Sequence, residues 1–81
     1  MRYDWKTREG LVELRPSDSG RYEVFFRGEN LGSYHSPEAA ADDVAGGHTF
    51  MPSDGTDLGM LGISHDLSEW ERIPSPGNLR A

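Results

Sequence analysis

The stretch from residue 20 to residue 47 constrains the fold most, because strand, turn and helix signals follow one another there without a gap. Between residues 21 and 27, aromatic and β-branched side chains alternate with charged ones, which is typical of a half-buried strand. Residues 28–30 (Gly-Glu-Asn) suit the positive φ angles of a short hairpin turn, and residues 31–34 then form the return strand. The apolar face of the first strand carries Tyr22, Val24 and Phe26.

A helix is predicted directly after this hairpin, with signals at both of its ends. Ser36 is a preferred N-cap residue, and Pro37 suits the first helical position, where its missing N–H costs no hydrogen bond. Residues 38–45 are rich in alanine, and the following pair of glycines can take the left-handed conformation that ends many helices. The narrow stripe of small apolar side chains predicts that this helix lies close against a sheet.

One more strand is predicted before this unit, at residues 11–15, and the turn-rich residues 16–20 connect the two. The order is therefore β-β-β-α. It predicts an α+β fold, in which one helix packs on a three-stranded antiparallel meander. We expect Trp5 to cap one edge of the core.

The C-terminal part of the chain is predicted to cover this core. Residues 48–63 show no period, and we expect an irregular segment anchored by Phe50 or Met51. Asp66 begins a capping-box pattern, which predicts a short helical turn that brings Trp70 into the core. Residues 1–73 are expected to form a single small domain, and residues 74–81 a flexible tail.

Composition limits the class of protein. The 81 residues carry a net charge of −6 and no cysteine, so neither disulfides nor thiolate metal sites are expected. Residues 1–35 hold six basic and six acidic side chains, whereas residues 36–81 hold two basic and eight acidic ones. No stretch has the roughly 20 apolar residues of a membrane span. These features predict a soluble cytoplasmic protein without membrane contact.

Motifs of catalysis and of cofactor binding are absent from the sequence. His35, His48 and His65 are widely spaced and follow no metal-ligand pattern, so no metal is expected. The glycines form neither a phosphate-binding loop nor a dinucleotide fingerprint, and no nucleophile elbow is present. We therefore expect a protein that is not an enzyme and has no cofactor.

The excess of apolar side chains between residues 48 and 63 predicts a contact surface for another protein, of unknown identity. A surface loop needs fewer large apolar groups than this segment has, and the acidic second half of the chain favours a basic partner or simple solubility. The candidate contact residues are Phe50, Met51, Leu58, Met60 and Leu61.

The pattern G-R-Y-E-V-x-F-x-G-x-x-L-G-S-Y-x-S-P-E-A-A-A resembles the ethylene-response-factor (APETALA-type) DNA-binding domain, and phage integrase arm-binding domains are similar. The resemblance covers residues 10–46. It implies a three-stranded sheet that lies in the DNA major groove with one helix behind it. About three quarters of the chain is also similar to a group of short uncharacterised bacterial proteins, which implies no activity.

Nucleic-acid binding is therefore the alternative function. The resemblance implies that the free face of the sheet would bind DNA. Glu13 and Glu23 stand among the basic residues of this face, so cross-strand ion pairs are the competing interpretation. A third hypothesis, mimicry of nucleic acid, rests on the acidic residues of the second half. The candidate DNA-binding residues are Arg15, Arg21, Phe25 and Arg27.

Overall fold

The computed structural model describes residues 1–74. Five antiparallel strands form one sheet: β1 (Arg2–Thr7), β2 (Gly10–Pro16), β3 (Tyr22–Phe26), β4 (Glu29–Tyr34) and β5 (Glu71–Ile73). Their order across the sheet is β4-β3-β2-β1-β5. The α+β class is confirmed, but the prediction of three strands is wrong, because the sheet has five. Beyond Pro74, the predicted tail lies outside the described residues.

The two additional strands lie side by side at one end of this order. In β1, Tyr3 pairs with Leu14 and Trp5 with Val12, so both aromatic rings lie on the side of the sheet that faces the core. Their alternation with charged residues is a strand pattern of period two. β5 has only three residues, too few to show the alternation of a strand. It is a strand because it pairs with β1.

The helix α1 (Pro37–Ala45) packs over β2, β3 and β4 on this same side. The Ser36 hydroxyl accepts a hydrogen bond from the N–H of Ala39 at 3.1 Å, which confirms the predicted N-cap. Gly47 has a φ angle of 75° just beyond the helix, as the stop signal predicts. Buried apolar residues of the sheet and helix form the core: Val12, Leu14, Val24, Phe26, Leu31, Ala40, Ala41, Val44 and Ala45.

The turn between β3 and β4 consists of Arg27 and Gly28, so the predicted turn at residues 28–30 is wrong: the observed turn begins one residue earlier and ends two residues earlier. Both turn residues have positive φ angles, 55° and 81°, as in the mirror-image turns that suit hairpins. Arg27 takes a conformation that glycine or asparagine usually occupies, so the turn carries no sequence signal at its first position. After the turn, a β-bulge lies in β4, where Val24 pairs with Gly32 but Phe25 pairs with Asn30. The extra residue is Leu31, which is buried.

Two short 3₁₀ turns, Leu58–Met60 and Leu67–Glu69, hold the irregular segment after α1. Each is capped by an aspartate: Asp57 accepts from the N–H of Gly59, and Asp66 accepts from the N–H of Ser68. Trp70 is buried, as predicted, and Leu58 and Ile63 are buried with it. Within residues 1–74, no helix combines the length and the apolar character that a membrane span requires.

Candidate functional site

The segment of residues 48–63, here called the contact loop, lies across the end of the sheet that carries the β1–β2 and β3–β4 turns. The Phe50 N–H donates to the Leu31 carbonyl at 3.1 Å, beside β4. At the other side, the Arg8 guanidinium donates to the Met60 carbonyl at 3.2 Å. Both ends of the loop are therefore held against the fold.

Two carboxylates fix the middle of the contact loop. Glu29, the first residue of β4, accepts hydrogen bonds from the N–H and the hydroxyl of Ser53 at 3.0 and 3.1 Å. Asp54 forms an ion pair with Arg27 of the β3–β4 turn. Two hydrogen bonds from Thr56, with Arg27 adding a smaller contribution, keep the pKa of Asp54 below its ordinary value. Neither carboxylate was predicted to hold the loop, although the Asp-Gly-Thr pattern at residues 54–56 is typical of a local side-chain turn.

Three large apolar side chains project from this held loop into solvent. Phe50 is 76% exposed, Met51 is 68% exposed and Met60 is 70% exposed. The prediction that Phe50 or Met51 anchors the loop is therefore wrong. Leu58 and Ile63, which are only 2% and 5% exposed, anchor it instead.

The structure thus divides the five predicted contact residues. Leu58 lies in the core and Leu61 is half-buried against it, so neither contributes an exposed apolar side chain. The cavity beneath Phe50 and Met51 holds about 30 Å³, enough for a single water molecule. The exposed part of the contact loop is a surface and not a ligand pocket.

Three of the four candidate DNA-binding residues, Arg15, Arg21 and Phe25, lie on the free face of the sheet, as predicted, and Arg27 does not. Arg15 lies with its guanidinium 4.2 Å from the centre of the Phe25 ring, on the sheet face opposite α1. On this face Arg21 donates to the hydroxyl and the carbonyl of Ser33 at 2.7 and 3.0 Å. Arg27 does not belong to this group, because it sits in the β3–β4 turn and pairs with Asp54.

Ion pairs occupy much of that sheet face. Glu13 lies 2.6 Å from Arg15 and 3.6 Å from Arg2, and Arg2 also binds the buried Asp4 at 3.0 Å. Among residues 1–74, four basic and four acidic side chains lie on the face, so their charges balance. They are Arg2, Lys6, Arg15 and Arg21 with Asp4, Glu13, Glu23 and Glu71.

Several acidic residues of the second half also have partners within the fold. Hydrogen bonds from Ser68 lower the pKa of Asp66, while Asp57 caps the first 3₁₀ turn. Glu69 accepts from the Ser64 hydroxyl, and Asp42 lies 2.8 Å from His65 Nδ1. These carboxylates stabilise the structure after the sheet. Their presence is therefore explained without the hypothesis that they mimic the phosphates of a nucleic acid.

Among the described residues, no group of three or more histidine, cysteine, aspartate or glutamate side chains is arranged to hold a metal ion. Comparison of the chain with protein-family models, with curated proteins and with solved structures finds no match. The resemblance to DNA-binding domains therefore stays a prediction.

Proposed function

We propose that this chain is a small non-enzymatic interaction domain that binds a protein partner through Phe50, Met51 and Met60. The observation that carries this proposal is their exposure on a loop that is fixed in place. A fixed loop loses little conformational entropy on binding. Aromatic and methionine side chains are enriched at the centres of protein interfaces. Because the chain has no cysteine, we further propose a cytoplasmic location.

Site-specific photo-crosslinking in cells of the source organism tests this proposal. A benzophenone amino acid replaces Phe50 in one variant and Asp18 in a control variant. Asp18 is exposed in the β2–β3 turn, at the opposite end of the sheet. We expect a discrete crosslinked species from position 50 alone.

Two further substitutions make this test specific to the surface. The exchange of Met51 and Met60 for serine should remove the crosslinked species while the thermal midpoint stays unchanged. Exchange of Glu9 and Asp18 for serine, also exposed residues, serves as the matched control. Equal crosslinking from positions 50 and 18, or none from either, would contradict the proposal.

The second candidate function is binding of nucleic acid by the sheet face opposite α1. It is favoured by one observation, the stacking of Arg15 on Phe25, since such a pair can also stack on a base. The balanced charges of this face work against it, because nucleic-acid affinity depends strongly on excess positive charge.

Fluorescence anisotropy with a duplex of mixed sequence at low salt separates the two functions. If the domain binds protein, we expect no saturable binding to the duplex. In particular, we expect no binding whose affinity falls as the salt concentration rises. Salt-dependent, saturable binding would favour the nucleic-acid function if it is lost when Arg15 and Arg21 are exchanged for glutamine. The Arg8→Gln exchange should then leave the binding intact. Arg27 is unsuitable for this test, because its loss would also release Asp54.

A further inference from the structure

A groove of about 520 Å³ lies on the core side of the sheet, beside the N-terminal end of α1. Tyr3 and Arg72 are direct cross-strand partners on β1 and β5, so both side chains project toward it. The helix α1 packs over β2, β3 and β4 and also contacts the second 3₁₀ turn, whose Leu67 and Ser68 line the groove. The residues that line the groove are Tyr3, Glu38, His65, Asp66, Leu67, Ser68 and Arg72. Its volume is in the range of about 300–1,000 Å³ that is typical of ligand sites.

The groove combines one aromatic ring, that of Tyr3, with an exposed carboxylate, that of Glu38. Behind the groove lining, the Tyr22 ring lies 6.1 Å from the Tyr3 ring at an angle of 51°. Glu38, in the first turn of α1, lies close enough to help raise the pKa of Tyr22, after the larger effect of burial and the effect of Tyr3. Within residues 1–74, no ion pair or hydrogen bond occupies the Glu38 carboxylate. It is available to a ligand from outside.

Beside the His65 ring, the groove lining carries two carboxylates, those of Glu38 and Asp66, and one guanidinium, that of Arg72. Asp66 is held in its charged form by two hydrogen bonds from Ser68, and both go to Oδ1. His65 is bonded to Asp42 outside the groove lining. Arg72 is the single arginine or lysine among the lining residues and opposes the carboxylates of Glu38 and Asp66.

We propose that this groove binds an arginine or lysine side chain of a basic peptide segment in a partner protein. The cation lies against the Tyr3 ring, which attracts it through the π-electron face, and pairs with Glu38. Half-buried Leu67 supplies apolar contact for the aliphatic part of the side chain. This inference adds a chemical class of partner to the proposed interaction function, but it concerns a site separate from the contact loop.

An NMR titration of the full chain tests this inference with a defined probe, the capped peptide acetyl-Gly-Arg-Gly-Arg-Gly-amide. We expect its addition at low salt to shift the amide signals of Tyr3, Glu38 and Leu67. Glu38→Gln should weaken binding about threefold to tenfold, because one charge-assisted hydrogen bond is lost. Arg72→Gln should strengthen binding about twofold, because it removes a like charge.

Glu9→Gln is the matched control, since it removes an equal charge from an exposed position in the β1–β2 turn. Equal weakening by Glu38→Gln and Glu9→Gln would show unspecific attraction and overturn the proposal. So would tighter binding of the corresponding glutamate peptide, or the absence of shifts at the groove. Phe50→Ser should leave peptide binding unchanged, so failure at the contact loop and failure at the groove are distinguishable.

Discussion

The indole rings of Trp5 and Trp70 lie with their centres 5.7 Å apart and their planes inclined by 51°. Trp5 is part of β1, and Trp70 directly precedes β5. The Trp70 indole N–H also donates to the Ser64 carbonyl at 3.0 Å. This contact therefore brings the start of β5 to the strand with which it pairs.

We expect Trp70→Ala to lower the free energy of unfolding by about 3–5 kcal/mol, the range for a buried large aromatic side chain. The side chain is only 4% exposed, and its removal would leave a cavity beside Trp5. Urea denaturation followed by circular dichroism measures the loss. Phe50→Ala is the control, with an expected change within about 0.5 kcal/mol. Similar losses in both variants would mean that the burial of Trp70 does not determine stability.

Leu58→Ala and Met60→Ala should differ strongly although the residues are two positions apart. Leu58 anchors the contact loop in the core, so its truncation should cost about 2–5 kcal/mol. Met60 projects into solvent and should change stability by less than about 0.5 kcal/mol. Chemical denaturation of both variants tests this difference, and a more harmful Met60→Ala would contradict the assignment of the anchor.

Gly47 should tolerate a side chain less well than Gly20. Both have positive φ angles, 75° and 83°, so alanine at either position should cost about 1–2 kcal/mol of conformational strain. A Cβ at Gly47 would also lie 3.0 Å from the backbone nitrogen of Gly59, whereas a Cβ at Gly20 would meet nothing within 4 Å. We expect Gly47→Ala to be less stable than Gly20→Ala by about 1 kcal/mol or more. Thermal unfolding of the two variants decides this, and equal midpoints would speak against close packing of the helix end on the contact loop.

The pKa of Tyr34 should lie well above the ordinary value of a tyrosine. Burial, and then the hydrogen bond and negative charge of Asp43, raise its pKa from 10.0 to about 12. Because the pKa is higher in the folded state, the neutral phenol stabilises the fold below about pH 10, and this contribution disappears as the pH rises toward about 12. NMR titration of ¹³C-labelled tyrosine rings measures the value. Asp43→Asn should lower it and Asp18→Asn should not.

The helix could be predicted from local sequence because its signals are local. Ser36 caps it, Pro37 begins it, and small side chains such as Ala40 face the sheet, as expected. The strand β1, and the pairing that makes the extended residues 71–73 a fifth strand, were not predicted, for a different reason. β1 alternates over only six residues, and its charged face is held by an ion pair between Arg2 and Asp4 that no local pattern indicates. β5 depends on a long-range pairing that no local pattern indicates.

The candidate surface was predicted in position but not in detail. Its excess of apolar residues is visible in the sequence, but hydrophobicity alone does not tell Leu58 from Phe50. The side chain that becomes buried is decided by tertiary contacts, above all by where Glu29 and Asp54 hold the loop. Likewise, the turn conformation of Arg27 removed it from the sheet face to which simple alternation had assigned it.

The β-bulge at Leu31 has a consequence for behaviour at high concentration. The outer edge of β4 is a poor template for another strand, because the bulge interrupts its repeat and Phe50 already binds the Leu31 carbonyl. The Oδ1 atom of Asn30 also accepts a hydrogen bond from the Gly32 N–H. At the other edge, β5 is only three residues long and is followed by Pro74. Within residues 1–74, both edges of the sheet therefore disfavour fibril-like growth by strand addition, in a domain that exposes three large apolar side chains on its contact loop.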